Sequence, residues 1–188
     1  MKILWLILLF PALSIASIVN ANPQLIQKHL GVWANKNKIV GAALQINSTQ
    51  YCYGYSNRDL KIKVNKKTEF GIGSITKTFV SVVLLNLEEQ GKINIHDPIT
   101  KYFPQYPKLM HVSIQSLMQM TAGFNDASDT SMTPIHAINA AYQKYNPKLA
   151  GIWRYSNVSY QLLGLLIEHV THESISKNIA DDIKTVAS

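Results

Sequence analysis

Ser74 and Lys77 stand three residues apart, and Tyr155 and Asn157 stand two apart much later in the chain. A serine hydroxyl is a poor nucleophile near neutral pH unless a neighbouring base takes its proton. On a helix, residues three apart share a face, with Cβ atoms about 5–6 Å apart, so Lys77 can reach Ser74. A lysine amine becomes a base when desolvation or a nearby cation disfavours its charged form. Gly73, just before Ser74, lets the chain turn sharply into such a helix. The helix start then offers backbone N–H groups and a positive dipole to a developing oxyanion. This is the equipment of acyl transfer.

The spacing is not unique. Ser174 and Lys177 repeat the Ser-x-x-Lys pattern, and Tyr55-Ser56-Asn57 repeats Tyr-Ser-Asn. Surroundings separate them. Ser74 follows Phe70-Gly71-Ile72-Gly73 and opens an apolar helix predicted over Ile75 to Gln90, stopped by Gly91. Ser174 reads as the N-cap of a polar terminal helix with Lys177 facing solvent, and Tyr55-Ser56-Asn57 ends an alternating strand. Tyr155-Ser156-Asn157 lies between a Pro147/Gly151 loop and an apolar helix beginning near Val158.

Other elements follow from capping and periodicity. Pro23 to Lys36 reads as an amphipathic helix, and Ile39 to Asn47 with Gln50 to Tyr55 as a hairpin turning at Asn47-Ser48-Thr49. Asp97-Pro98 reads as a helix start with Asp as N-cap and Pro at the first helical position, and Thr133-Pro134 repeats the device before a helix to Tyr145. Ser113 caps a short helix to Met120, and helices follow over Val158 to Val170 and Ile175 to Val186. Two strands and many helices imply an α/β fold of the α+β kind, whose sheet expects more strands, since a lone hairpin is marginal in water.

From Ile39 onward the chain resembles the serine β-lactamase and penicillin-binding-protein family, most closely its class C β-lactamase and esterase branch. The residues that carry the resemblance are Phe70-Gly71-Ile72-Gly73-Ser74-Ile75-Thr76-Lys77-Thr78-Phe79, Glu88-Glu89-Gln90-Gly91-Lys92-Ile93 and Asp97-Pro98-Ile99-Thr100-Lys101-Tyr102-Phe103-Pro104. They continue with Ile114-Gln115-Ser116-Leu117-Met118, Thr121-Ala122-Gly123-Phe124, Trp153-Arg154-Tyr155-Ser156-Asn157 and Tyr160-Gln161-Leu162-Leu163-Gly164. The resemblance implies that Ser74 is the acylated nucleophile, Lys77 its activating partner, Tyr155 the general acid/base, and Asn157 the group that holds the substrate's amide side chain. It implies an antiparallel sheet with a helical subdomain and no cofactor or metal. Met120-Thr121-Ala122-Gly123 stands where the family often has His-Thr-Ser-Gly, a supporting loop. The family's third motif, Lys or His followed by Thr, Ser or Ala and Gly, has no counterpart after Asn157 within these 188 residues. The expectation is therefore a fold that stops before the family's C-terminal strands.

The chain has 18 Lys and Arg against 11 Asp and Glu, a net charge of +7. With 47% hydrophobic and 15% charged residues it reads as globular. Most lysines are dispersed, with Lys61, Lys63, Lys66 and Lys67 clustered near a turn and no stripe of interleaved aromatics, which argues against nucleic acid. Met1-Lys2 followed by the apolar run Ile3 to Val19 reads as a signal peptide over residues 1–21, cleaved before Asn22, with an uncleaved membrane anchor as the alternative. Cys52, the sole cysteine, reads as a buried structural thiol, and Trp153 as packed beside the site loop. Glu168-His169 and His172-Glu173 read as a helix C-terminus more readily than as metal ligands.

The combined expectation is a signal peptide at 1–21 and a serine-hydrolase domain at 22–188 lacking the third motif, in the bacterial periplasm or secreted. Its partners would be a small β-lactam, a D-Ala-D-Ala-like peptide or an ester, with peptidoglycan as a further candidate and membrane contact only through an uncleaved leader. The rivals are a catalytically inactive truncated relative and a module that grips peptidoglycan peptides without turnover.

Overall fold

Asn22 and Pro23 start the first helix as their types dictate. A computed structural model describes residues 22–125 and 133–187, so the leader and its expected cleavage site lie outside the described residues. The chain divides into two compact units, one ending at Gly73 and one beginning at Ser74. Together they give an α+β architecture, with antiparallel strands in the first unit and helices dominating the second.

In the first unit, helix α1 (Pro23–Lys36) is capped by Asn22, whose side chain accepts from the Gln24 N–H at 2.9 Å. Pro23 sits where a helix has no use for an N–H. Leu30 and Ala34 point inward and are buried. Strand β1 (Gly41–Ile46) pairs antiparallel with β2 (Thr49–Asn57), and Ile46 lies opposite Thr49 across a two-residue turn in which Asn47 takes φ 52°. The hairpin is not alone: a two-residue strand, β3 (Ile62–Lys63), pairs with the end of β2, giving the order β1-β2-β3. Such a short strand has no periodicity to betray it. Tyr53 faces α1, its hydroxyl donating to Asn35 Oδ1 at 2.5 Å. Alternation along β2 then turns Cys52 to the opposite face, where it is half-buried and not the buried thiol its neighbours suggested.

In the second unit the core is built around helix α5 (Asn157–Thr171), on which Val158, Leu162, Leu163, Leu166 and Ile167 are fully buried. Their spacings of four, one, three and one lay them on one helical face. Helices α2 (Thr76–Glu89), α3 (Ile114–Met118), α4 (Pro134–Gln143) and α6 (Ile175–Ala187) all pack against α5. α2 contributes Val80, Val83, Leu84 and Leu87. It ends as expected near Gly91, which takes φ 70° while its N–H donates to Glu88 O and that of Lys92 to Leu87 O. Ser113 caps α3, its hydroxyl accepting from Ser116 N at 3.0 Å, and Pro134 occupies the first turn of α4.

The Asp97-Pro98 start is corrected. Pro98 is itself the extended residue before a single 3-10 turn, Ile99–Lys101, and pairs as an isolated bridge with Ser113. Asp97 enters an ion pair instead, accepting from Lys101 Nζ at 2.7 Å and from the Tyr102 hydroxyl at 3.1 Å. The Lys101 hydrogen bond holds its carboxyl below the usual carboxylate range. Burial pushes the Tyr102, Tyr106 and Tyr145 phenols up.

Candidate functional site

Gly73 adopts φ 54° and turns the chain into a 3-10 turn, Gly73–Ile75, that leads directly into α2. The helix expected from Ile75 thus has a tighter first turn, and Ser74 stands at its head. Lys77, in the first turn of α2, donates from Nζ to Ser74 Oγ at 3.2 Å. The i, i+3 spacing brings them together as the sequence predicts.

The other half of the site arrives from the loop before α5. Met120, at φ 57°, accepts the Arg154 N–H at 2.9 Å through its carbonyl, and Thr121 O accepts the Gly151 N–H at 2.8 Å. These bonds staple residues 151–154 to the Met120–Gly123 loop, which supports the site without entering it. Ser156 is buried and caps α5, its hydroxyl accepting from Ser159 N at 3.1 Å. Tyr155 and Asn157 therefore flank a fixed cap. The Tyr155 hydroxyl lies 2.6 Å from Ser74 Oγ, and Asn157 Oδ1 accepts from Lys77 Nζ at 2.8 Å. Ser74, Lys77, Tyr155 and Asn157 form one connected hydrogen-bonded group, with Ser74 exposed and Lys77 half-buried.

Two side chains without an assigned role complete the surroundings. Tyr160, one helical turn beyond Asn157, places its ring 5.7 Å from Lys77 Nζ, while the Tyr155 ring lies 5.0 Å away on the same amine. The Tyr160 hydroxyl donates to Met118 O at 2.9 Å, so its contact with Ser81 Oγ at 3.0 Å must be donated by the serine. The signal for Tyr160 was its i+3 position from Asn157. Trp153, expected to pack beside the loop, is instead 66% exposed.

The two repeats of the motifs are structural. Ser174 accepts from Lys177 N, and Lys177 Nζ is held between Glu173 at 2.9 Å and Asp181 at 2.8 Å, which push its pKa further up and away from any role as a base. Asn57 Oδ1 accepts from Leu60 N, closing the turn after β2. Glu168 caps α6 through a bond from Ile175 N, and His172 takes the left-handed C-cap of α5 at φ 57°. Among the described residues no group of three His, Cys, Asp or Glu could hold a metal.

Solved structures share this arrangement of elements. The D-amino acid amidase from Ochrobactrum anthropi SV3, complexed with L-phenylalanine, superposes with a TM-score of 0.71 at 26% identity, covering 84% of this chain and 49% of its own. The octameric penicillin-binding protein homologue from Pyrococcus abyssi shares the fold with a TM-score of 0.73 at 22% identity, over 85% of this chain and 42% of its own. In sequence, protein flp of Staphylococcus aureus is 31% identical over 144 residues, 69% of this chain and 28% of that protein. The chain thus spans about a third or less of such curated relatives and about half of the solved chains. The fold is that of the β-lactamases and transpeptidases. A family model described as Beta-lactamase matches residues 24–185, a span that contains Ser74, Lys77, Tyr155 and Asn157, and the chain belongs to that family.

Proposed function

We propose that this chain carries the nucleophile half of an exported serine hydrolase, in which Ser74 is acylated by a β-lactam, a D-amino acid amide or D-Ala-D-Ala-like peptide, or an ester. The observation that carries the reading is the bond between Ser74 Oγ and the Tyr155 hydroxyl, 2.6 Å, with Lys77 Nζ on the same oxygen at 3.2 Å. The amidase among the structural neighbours supports an amide substrate of this class.

In this reading Ser74 Oγ attacks the carbonyl carbon while its proton passes to the phenolate oxygen of Tyr155. Lys77, which donates to both Ser74 Oγ and Asn157 Oδ1, holds the serine oxygen in position for that transfer. The carbonyl's bond to nitrogen or oxygen then breaks, and Tyr155 returns the proton to the leaving group. A water attacks the resulting ester, Tyr155 takes its proton, and Ser74 leaves with it. The N–H groups at the head of α2 face the oxyanion. No metal or organic cofactor enters the scheme.

Incubation with a fluorescent penicillin and with a reactive phosphonate, followed by peptide mass spectrometry, tests it. The expected adduct sits on Ser74 and disappears in Ser74→Ala; an adduct on Ser174, or one that survives Ser74→Ala, overturns the assignment. Export to the bacterial envelope belongs to the same proposal. N-terminal sequencing of envelope protein is expected to begin near Asn22, whereas an intact Met1 on a membrane-embedded species favours the anchor.

A further inference from the structure

The charge of this protein is not shared between its two units. Residues 22–73 hold eight lysines and arginines against two carboxylates, Asp59 and Glu69, a net +6. Residues 74–188 hold nine of each and are neutral. The topology of the first unit concentrates that charge further. β1 begins, and β2 ends, at the same end of the sheet, since Gly41 pairs with Gly54. Lys36 at the end of α1 and Lys38 in the turn to β1 lie there, as do Arg58 and Lys61 in the turn from β2 and Lys63 in β3. Asp59 is the one acid among them.

Among these bases stand exposed apolar side chains. Leu60, at the tip of the β2–β3 turn, is 70% exposed, the most of any large hydrophobic residue among the described residues, and Ile62 is 49% exposed. The tip is fixed: Asn57 Oδ1 accepts from Leu60 N at 2.8 Å, Lys61 N donates to Arg58 O at 3.2 Å, and Lys61 takes φ 52°. α1 repeats the pairing along its outer side. Leu25, Lys28, Val32 and Lys36 follow one another at spacings of three and four, and all four are exposed. Apolar residues interleaved with bases suit an interface with oil on one side and anionic headgroups on the other.

We propose that this end of the first unit docks on an anionic lipid membrane, with Leu60 and Ile62 entering the headgroup boundary and Arg58, Lys61 and Lys63 meeting the phosphates. A polyanion dissolved in water would use the bases and gain nothing from Leu60. A neutral bilayer would use Leu60 and gain nothing from the bases. Each base close to an anionic leaflet multiplies binding roughly fivefold, and burial of one leucine roughly tenfold.

The test is co-sedimentation of the full chain with vesicles of phosphatidylcholine alone and with vesicles of equal parts phosphatidylcholine and phosphatidylglycerol. The apolar run at 3–19 is common to every protein compared, so only the excess binding to the anionic vesicles is read. Wild type is expected to show that excess, and salt to weaken it. Lys61→Glu/Lys63→Glu is expected to cut it by roughly tenfold or more. Leu60→Ser is expected to cut it as well while leaving retention on immobilised polyphosphate unchanged. Circular dichroism confirms that these exposed-turn variants keep the fold. Equal binding of wild type to both vesicles overturns the proposal. So does an excess that Leu60→Ser leaves intact, which would make the patch a binder of soluble polyanions.

Discussion

Lys77 holds its position through four groups drawn from three places in the chain: Ser74 behind it, Asn157 across from it, and the rings of Tyr155 and Tyr160 beside it. Tyr160 does two separable things. Its ring faces the amine, and its hydroxyl ties α5 to α3's last residue through Met118 O and to α2 through Ser81. Tyr160→Phe keeps the ring and leaves a part-buried carbonyl and hydroxyl unpaired, a loss of about 1–3 kcal/mol. Denaturant unfolding is expected to register that loss while the rate of Ser74 labelling stays near wild type. Tyr160→Leu removes the ring too, and labelling is then expected to slow as well. An unchanged labelling rate in Tyr160→Leu would show that the ring does not position Lys77. Ser74, Lys77, Tyr155 and Asn157 were legible because each pair is local in sequence and matches a family pattern. Tyr160's hydroxyl was not, because Met118 and Ser81 reach it only through the packing of three helices.

Two loop glycines separate an element's own stability from its service to the site. Gly91 ends α2 at φ 70° with open space around the place a Cβ would occupy, so Gly91→Ala meets only the backbone penalty, about 1 kcal/mol. Gly123, at φ 90°, lies in the loop that staples residues 151–154, and a Cβ there would meet Asn146 O and Ala150 N, both at 3.1 Å. Gly123→Ala is expected to cost more, about 2–3 kcal/mol, and to displace the segment that delivers Tyr155. Thermal melts and Ser74 labelling on both variants check this: Gly91→Ala is expected to lose stability alone, Gly123→Ala stability and labelling together. Equal labelling by both would detach the loop from the site. The sequence marked Gly91 because it follows a long apolar period, marked α3 by its cap Ser113, and marked α1 and α5 by their apolar patterning, whereas the caps Asn22 and Ser156 emerged only in the structure. It misplaced Asp97 because a cap and an ion pair call for the same residue type. Only the register that bridges Pro98 to Ser113 decides between them. It missed β3 because two residues cannot show a period of two, and it misplaced Cys52 because burial in a three-stranded sheet depends on which face α1 covers.

At the scale of the whole molecule, the group around Ser74 is assembled entirely from residues 74–160, yet these 188 residues span only 49% of the amidase they superpose on. α2 buries Val80, Val83, Leu84 and Leu87 but exposes Val82 and Leu85, and the 3-10 turn that leads into it exposes Ile75. A segment that carries the proposed nucleophile at its head and leaves three large apolar side chains exposed is less firmly held than one packed on all sides. Acyl transfer is sensitive to that, because loss of one oxyanion donor costs about 10²–10³ in rate and a misplacement of about 1 Å costs about 10². The expectation is that residues 22–188 alone acylate at Ser74 but turn over slowly. Hydrolysis of a chromogenic cephalosporin and of a p-nitrophenyl ester is expected to rise by roughly 10² or more when the C-terminal half of a family relative, with its Lys/His-Thr-Gly strand, is joined after Ser188. Comparable rates from the short and the extended chain would mean that residues 22–188 complete their own cleft, or complete it with a second copy. Dilution separates those two outcomes, because only the second loses activity as the protein concentration falls.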